Sequence, residues 1–227
     1  MITICLLQVP EILPEAYWNH FLSQVSAERR AQASRFVRQA DAYRSVLGEI
    51  LTRVTLSKLT GLRPAELSFT RNSYGKPSLS HHSKLQFNVS HSGDWIALIS
   101  GGADELGVDV EKIAPIDMQI AERFFSTSES QFLAAKPTEM QRETFYRLWT
   151  LKESYIKAVG MGLSIPLDSF AILPNEREDW HCKQAGTYLF LSQRLDDGHM
   201  LAACSAGGEL PSEPEIITLE DLYTELV

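Results

Sequence analysis

Apolar residues recur at helical spacing from about Ser34, with Tyr43, Leu47, Ile50, Leu51 and Val54 on one face. Gly61 and Pro64 supply the stop. Short runs with strand character follow: ELSFT, KLQFNVS, WIALIS and LGVDVEKI, separated by the turn-forming stretches SYGKP, HSGD and GGADE. MITICLLQVP reads as a first strand.

The second half repeats this plan. AERFFSTSESQFLAA and TFYRLWTLKESYIKAVGMG read as helices, the latter closing on Gly160 and Gly162 before Pro166. FAIL, TYLFLSQRL and HMLAACSAG then read as strands, with Asp197-Gly198 as a hairpin turn between the last two. Helices followed by antiparallel strands, twice, predict an α+β fold of two halves that meet near residues 101–106, with domains at 1–104 and 105–227. No residue-level repeat accompanies this duplication.

Within the strand-like LGVDVEKI (residues 106–113), Leu106, Val108 and Val110 point one way while Asp109 and Glu111 share the other face. Two carboxylates so close raise each other's pKa unless a cation, an amine or water compensates them. A hard divalent ion with oxygen ligands is one compensator. A half-exposed edge strand with a solvated acidic face is the plain alternative.

In RLWTLKESYIKAVGMG, Trp149, Glu153 and Lys157 recur every four residues on one helical face, with Lys152 beside Glu153. Read as structure, this is an exposed Glu–Lys pair. Read as chemistry, Glu153 is a third carboxylate or a general base, and the lysines hold phosphate oxygens.

NSYGKP (72–77) offers Gly75 for a close backbone approach, Lys76 as a cation and Pro77 to stiffen the exit. In FNVSHSGDW (87–95), Asn88, Ser90 and Ser92 form a row of small hydrogen-bonding groups suited to phosphate. The Ser-His-Ser run is not a hydrolase signature: neighbours on a strand face opposite sides, so neither serine can use His91 as its base, and no G-x-S-x-G elbow is present. Arg44 precedes Gly48 by one helical turn, and a mid-helix glycine suggests a close approach there.

The chain has 227 residues, is 44% apolar and 22% charged, and carries 29 acids against 21 bases, a net charge of −8. That balance excludes general nucleic-acid binding and requires any anionic ligand to be held by a local basic cluster. No apolar run is long enough to span a membrane. Cys5, Cys182 and Cys204 are widely spaced, without C-x-x-C, which argues for a reducing, cytoplasmic setting and against structural zinc.

In order along the chain, GKP, FNVSHS, LGVDVEK and WTLKESYIKAVGMGL are far more specific together than singly. The sequence resembles the 4′-phosphopantetheinyl transferases, in particular the long type that activates surfactin and gramicidin synthetases, from about Arg29 to the C-terminal strand. The resemblance implies a monomeric pseudo-dimer of two similar α+β halves, each a small antiparallel sheet packed with helices, with coenzyme A (CoA) in the cleft between them. It implies Mg2+-dependent transfer (Mn2+ also suits the site) of the phosphopantetheine arm to a serine of an apo carrier protein of peptide, polyketide or fatty-acid synthesis, with release of 3′,5′-ADP. Asp109, Glu111 and Glu153 match the metal ligands, and Lys157 matches the lysine near the pyrophosphate. Glu153 or a metal-bound water is the candidate base, and Glu129 matches a further acid near the site. Lys76 and Pro77 match the adenine-side loop, Ser90 and His91 match residues on the CoA phosphates, Lys152 joins Lys157 in neutralising them, and Arg44 matches an arginine at the 3′-phosphate, with Arg29 or Arg30 beside it.

A carrier-docking surface is expected near the junction of the halves, within MQIAERFF (118–125). Two rival readings remain at this stage, a metal-dependent phosphohydrolase acting on CoA-like substrates and a non-catalytic CoA- or carrier-binding module.

Overall fold

The computed structural model of the protein describes residues 1–102, 105–196 and 198–226. In chain order the strands are β1 (Thr3–Gln8), β2 (Phe69–Arg71), β3 (Pro77–Leu79), β4 (Gln86–Ser92), β5 (Trp95–Gly101), β6 (Leu106–Lys112), β7 (Ile172–Pro174), β8 (Trp180–Cys182), β9 (Leu189–Asp196), β10 (His199–Ser205) and β11 (Glu215–Ile217). The α-helices are α1 (Glu15–Gln24), α2 (Ala27–Ala33), α3 (Gln39–Thr60), α4 (Ala121–Phe124), α5 (Thr127–Ala134), α6 (Thr138–Val159) and α7 (Leu219–Thr224).

The duplication inferred from the pattern is written in the topology. One sheet contains β1-β5-β4 and the other is β6-β10-β9, so in each half the first strand pairs with the last and the last with the middle one, all antiparallel. Each half inserts a 22-residue helix, α3 or α6, and a two-stranded hairpin, β2-β3 or β7-β8, after its first strand. Both long helices end on a left-handed glycine, Gly61 and Gly160, whose N–H returns to a carbonyl of the last turn.

The C-terminus departs from the expected division. β11 adds to the first sheet in parallel beside β1, and Leu222 of α7 is buried in the core of the N-terminal half. The segment after β10 therefore completes the first half, because the β1 edge and the apolar flank of α3 need covering. The expected boundary falls at Ala103 and Asp104, outside the described residues, as does Asp197 of the expected hairpin turn.

The halves meet through the sheet faces turned away from the long helices. Ile4, Leu6, Trp95, Ala97 and Ile99 pack against Leu106, Val108, Val110, Leu201 and Ala203 in one buried cluster. Alternation along β6 then turns Gly107, Asp109 and Glu111 toward α6. At Gly107 a Cβ would lie 1.9 Å from the Ser154 carbonyl oxygen and 2.6 Å from the Ala158 nitrogen, so the helix backbone rests directly on the strand. Gly48, where a close approach is expected from the sequence, has only ordinary contact with Ile96.

Candidate active site

β4 and β6 belong to different sheets, and side chains rather than a backbone ladder join them. Asn88 Oδ1 accepts from the Val108 N–H at 3.0 Å, Ser90 Oγ donates to Asp109 Oδ1 at 2.8 Å, and Ser92 Oγ donates to Glu111 Oε2 at 2.7 Å. The row of small polar groups on β4 thus grips the acidic strand of the other half.

The cleft at this seam is lined by Val89, Ser90, His91, Asp109, Glu111, Trp149, Glu153 and Lys157. Trp149, Glu153 and Lys157 are the four-residue series read from the sequence, and α6 presents all three to the cleft. Lys157 Nζ lies 2.6 Å from Asp109 Oδ1 and 2.9 Å from Ser90 Oγ. Asp109 is buried, and its second oxygen, Oδ2, is buried without a hydrogen-bond partner.

Burial and the Asp109 charge raise the pKa of Glu153 to about 6 against the pull of Lys157. Burial and Asp109 likewise raise Glu111, opposed by its bond from Ser92. These are the signs expected of three acids sharing a poorly solvated space with one lysine. An oxygen-only donor set with an orphaned buried carboxylate oxygen suits a hard divalent cation. As placed, no three His, Cys, Asp or Glu side chains among the described residues already converge at ligand distance.

Next to the acids lies a basic region. The His91 pKa is lowered by desolvation, and the positive charges of Arg44, Lys157 and Arg29 lower it further. Arg44 is fixed by donation to the Gly93 carbonyl at 2.6 Å and by an ion pair with Asp41. Arg29 of α2 is held against α3 by Glu49 and Ser45. Arg30 instead donates to the Val25 and Ser23 carbonyls, so of the two neighbouring arginines it is Arg29 whose charge bears on His91. The cleft therefore combines an acidic pole with a cationic flank.

The sequence matches two family descriptions: "4′-phosphopantetheinyl transferase, N-terminal" over residues 14–102 and "4′-phosphopantetheinyl transferase superfamily" over residues 105–205. It is 39% identical over 207 residues to the 4′-phosphopantetheinyl transferase ffp of Bacillus subtilis, covering 90% of this chain and 92% of that one. The chain belongs to the 4′-phosphopantetheinyl transferase family. The transferase is also 36% identical over 215 residues to Sfp of Bacillus subtilis strain 168, covering 90% of this chain and 92% of the relative. Among solved structures, a holo-[acyl-carrier-protein] synthase of Thermotoga maritima overlaps 44% of this chain and 61% of its own, at 21% identity and a TM-score of 0.39.

The structure separates the remaining expected site residues of the transferase. Glu129 and Lys152 are both fully buried and lie away from the cleft. Lys152 Nζ bonds Glu129 Oε2 at 2.6 Å and the Phe170 carbonyl at 2.7 Å, and sits over the Phe170 ring. Glu129 Oε1 accepts from the Ile172 N–H, and Oε2 accepts from Ser126. Each group spends its capacity inside the protein, so Lys152 is not available to neutralise phosphate and Glu129 is not available as a base. Lys152 follows Leu151 and precedes Glu153 on the helix, and one residue turns the side chain by about 100°, enough to send it into the core instead of the cleft.

Lys76 is also internally engaged. Its ammonium donates to the Ala158 carbonyl at 2.6 Å and the Leu106 carbonyl at 3.2 Å, while Asn72 Nδ2 donates to the Gly160 carbonyl at 2.8 Å. The β2-β3 hairpin, whose turn leads into Pro77 at the start of β3, thereby clasps the C-terminus of α6 and the start of β6. Gly75 adopts φ +91° within the tight turn closed by Asn72, so its conformation serves the hairpin itself.

Sequence reasoning missed Gly107, which admits α6, and assigned Asn88 and Ser92 to phosphate, whereas Asn88 holds the β6 backbone and Ser92 holds Glu111. For Ser92 and Asn88 the signal was present in the alternation with Ser90. In the 118–125 stretch Ala121 and Phe125 are buried, which removes them from any docking surface and leaves Met118, Ile120 and Phe124 partly exposed.

Proposed function

We propose that this protein transfers the 4′-phosphopantetheine arm of coenzyme A to a serine of an apo carrier domain and releases 3′,5′-ADP. The observation that supports this most directly is the meeting of Asp109, Glu111, Glu153 and Lys157 in one cleft beside a cationic flank, in a chain of this family. The relatives are named as phosphopantetheinyl transferases, and the chemistry is carried here by this chain's own residues.

In the reaction the serine hydroxyl oxygen forms a bond to the β-phosphorus of CoA, the bond from that phosphorus to the bridging oxygen breaks, and 3′,5′-ADP leaves with the electron pair. Asp109, Glu111 and Glu153 are the groups that would hold Mg2+, or Mn2+ in its place, and the buried unpartnered Asp109 Oδ2 is the atom that favours this assignment. Such an ion supplies neutralisation of pyrophosphate charge.

Lys157 lies where its ammonium reaches both Asp109 and an incoming phosphate oxygen. Glu153 is the carboxylate that would receive the serine proton, and its pKa near 6 belongs to the metal-free cleft. The His91 pKa is lowered by desolvation and by the neighbouring cations, and its ring is placed at the cleft to donate a hydrogen bond to a phosphate oxygen. Arg44 and Arg29 suit the separate 3′-phosphate. Ser90 orients Lys157 and Asp109 at the edge of the phosphate path. Pro77 and the hairpin backbone form the adenine-side wall, with the Lys76 ammonium fixing that wall in place.

A cytoplasmic monomer acting on acidic carriers is consistent with a net charge of −8, which forces carrier recognition through local contacts rather than broad attraction. Among the described residues, no helix is long and apolar enough to cross a membrane.

The deciding experiment is intact-protein mass spectrometry of an apo peptidyl carrier domain incubated with this protein, CoA and Mg2+, with an EDTA control. A mass gain of one phosphopantetheine, lost with EDTA, is the expected result. CoA breakdown without carrier labelling would instead identify a phosphohydrolase. CoA binding without turnover on peptidyl or fatty-acid carriers would identify a binding module.

A further inference from the structure

The turn between β4 and β5, Gly93 and Asp94, is gripped from the other half of the molecule. His199, the first residue of β10, is 3% exposed, and its ring occupies the space that a side chain at position 93 would need. A Cβ on Gly93 would lie 2.3 Å from His199 Nε2 and 2.8 Å from Lys112 Cδ. Gly93 also has φ +55°, so glycine serves both the turn and the close approach of the ring.

The surrounding bonds give each ring nitrogen its task. Asp196, the last residue of β9, accepts from Trp95 Nε1 at 2.8 Å and from the Gly198 N–H at 2.7 Å, and lies 3.0 Å from His199 Nδ1. Burial pushes the Asp196 carboxyl up, but these bonds outweigh it and hold its pKa down to about 2, so the carboxylate only accepts. Nδ1 of His199 therefore carries the proton. Nε2 is left to accept from the Asp94 N–H at 3.3 Å.

That N–H and the Gly93 carbonyl belong to one trans peptide unit, in which the two groups point in opposite directions. The carbonyl accepts from Arg44 Nη1 at 2.6 Å. His199 and Arg44 thus hold opposite edges of the same peptide plane. Arg44 Nη2 pairs with Asp41, so both terminal nitrogens of the guanidinium are engaged and its plane is set. The other cross-half contact to this turn, Lys112 with Asp94 at 3.5 Å, joins two groups more than half exposed and adds little.

We propose that His199 is a positioning residue for Arg44: from the C-terminal half it fixes the Gly93–Asp94 peptide, and through the Gly93 carbonyl it orients the guanidinium toward the separate phosphate of the ligand. This rests on the reading of Arg44 as the 3′-phosphate group, and it gives a buried histidine outside the cleft a part in the choice between CoA and its dephosphorylated form.

The test is calorimetric binding of CoA and dephospho-CoA to the full chain with Mg2+, read as the ratio of the two Kd values. Arg44→Ala is expected to lower the preference for CoA by at least about tenfold, as loss of a charged hydrogen bond does. His199→Leu should lower it about three- to tenfold, the range for one hydrogen bond, and leave the affinity for dephospho-CoA unchanged. His199→Gln, whose amide can donate to Asp196 and accept from the Asp94 N–H, should stay within about twofold of the wild type. In an Arg44→Ala background His199→Leu should add nothing. A folded His199→Leu with the wild-type preference, equal losses in the Leu and Gln variants, or a further loss on top of Arg44→Ala would overturn the proposal.

Failure of the 3′-phosphate reading shows separately, as an unchanged preference in Arg44→Ala. Positioning is then decided without ligand, by nitrogen NMR at alkaline pH. The wild type is expected to carry the His199 proton on Nδ1 alone and to show slowly rotating Arg44 Nη–H signals, which persist in His199→Gln and average in His199→Leu. A proton on Nε2, or Arg44 signals indifferent to His199, would overturn the proposal. If His199→Leu fails to fold, the wild-type tautomer and the Gln variant decide the matter.

Discussion

Lys157 on α6 places its ammonium 2.6 Å from Asp109 Oδ1 on β6, an ion pair in which the acid is buried and the lysine still faces the cleft. One charge is thereby fixed and the other kept available. Ser90 from the opposite half touches both partners, so the pair also ties the two halves at the point where substrate would lie.

Lys157→Met is expected to lower turnover by at least about a hundredfold, since in the proposed reaction it removes the cation facing the developing pyrophosphate charge. The loss should fall on kcat more than on the KM for CoA. Steady-state kinetics of carrier modification checks the split, and a change confined to KM would make Lys157 a ground-state anchor only.

The raised pKa of Glu153 has two consequences of opposite sign. In the metal-free protein Glu153 is ionised only above about pH 6, so binding of a divalent ion, which needs the ionised carboxylate, should weaken as pH drops below about 6, approaching tenfold per unit. Stability runs the other way. The folded-state pKa of about 6 lies above the ordinary 4.5, so the folded state binds more protons in that interval and stability decreases as pH rises from about 4.5 to about 6. Metal-free Glu153→Gln should therefore melt higher than the wild type above pH 6 and lose that advantage below pH 4.5. A melting-temperature series in EDTA measures this, and identical pH profiles would contradict the assigned burial.

Much of this was legible from the sequence because the signals were periodic. The alternation in LGVDVEK separates the apolar and acidic faces of β6, and the four-residue spacing of Trp149, Glu153 and Lys157 puts them on one stripe. Partner choice was not legible, since it depends on contacts distant in the chain. Lys76 reads as a free cation in NSYGKP, yet it is occupied by carbonyls of residues 106 and 158. Lys152 and Glu129 are expected at the site, yet each finds its counterion 23 residues away inside the core. The long helix begins at Gln39 rather than near Ser34 because α2 ends at Ala33 and a short connection follows. β11 and α7 went unrecognised because a three-residue strand and a six-residue helix carry too little period to register.

For Lys76 the geometry separates two roles. If the ammonium serves as a clasp, Lys76→Met should cost about 1–3 kcal/mol of stability by leaving two carbonyls unsatisfied. Urea unfolding checks the cost. Unchanged stability with a raised KM for CoA would return Lys76 to direct ligand contact.

The Glu129–Lys152 pair should behave as structure. Glu129→Ala strands a buried ammonium and is expected to cost about 3–5 kcal/mol. Chemical denaturation measures it, with turnover normalised to the folded fraction. A large kinetic loss at unchanged stability would instead give Glu129 a part in the reaction.

Gly107 offers the most direct test of how the fold sets the site. Any Cβ there meets the backbone of α6 at Ser154 and Ala158, and a helix backbone cannot move aside as a flexible side chain can. Gly107→Ala must therefore push α6 off β6, at a cost of about 3 kcal/mol or more for overpacking at this point. The same displacement moves Glu153 and Lys157 away from Asp109 and Glu111, and a shift of about 1 Å at reacting groups is enough for roughly a hundredfold loss of rate. The variant is expected to show both defects together, in thermal unfolding and in carrier modification. Ser154→Ala keeps the carbonyl that Gly107 faces and should show neither on this account. A stable, active Gly107→Ala would mean that helix and strand are farther apart than 1.9 Å allows.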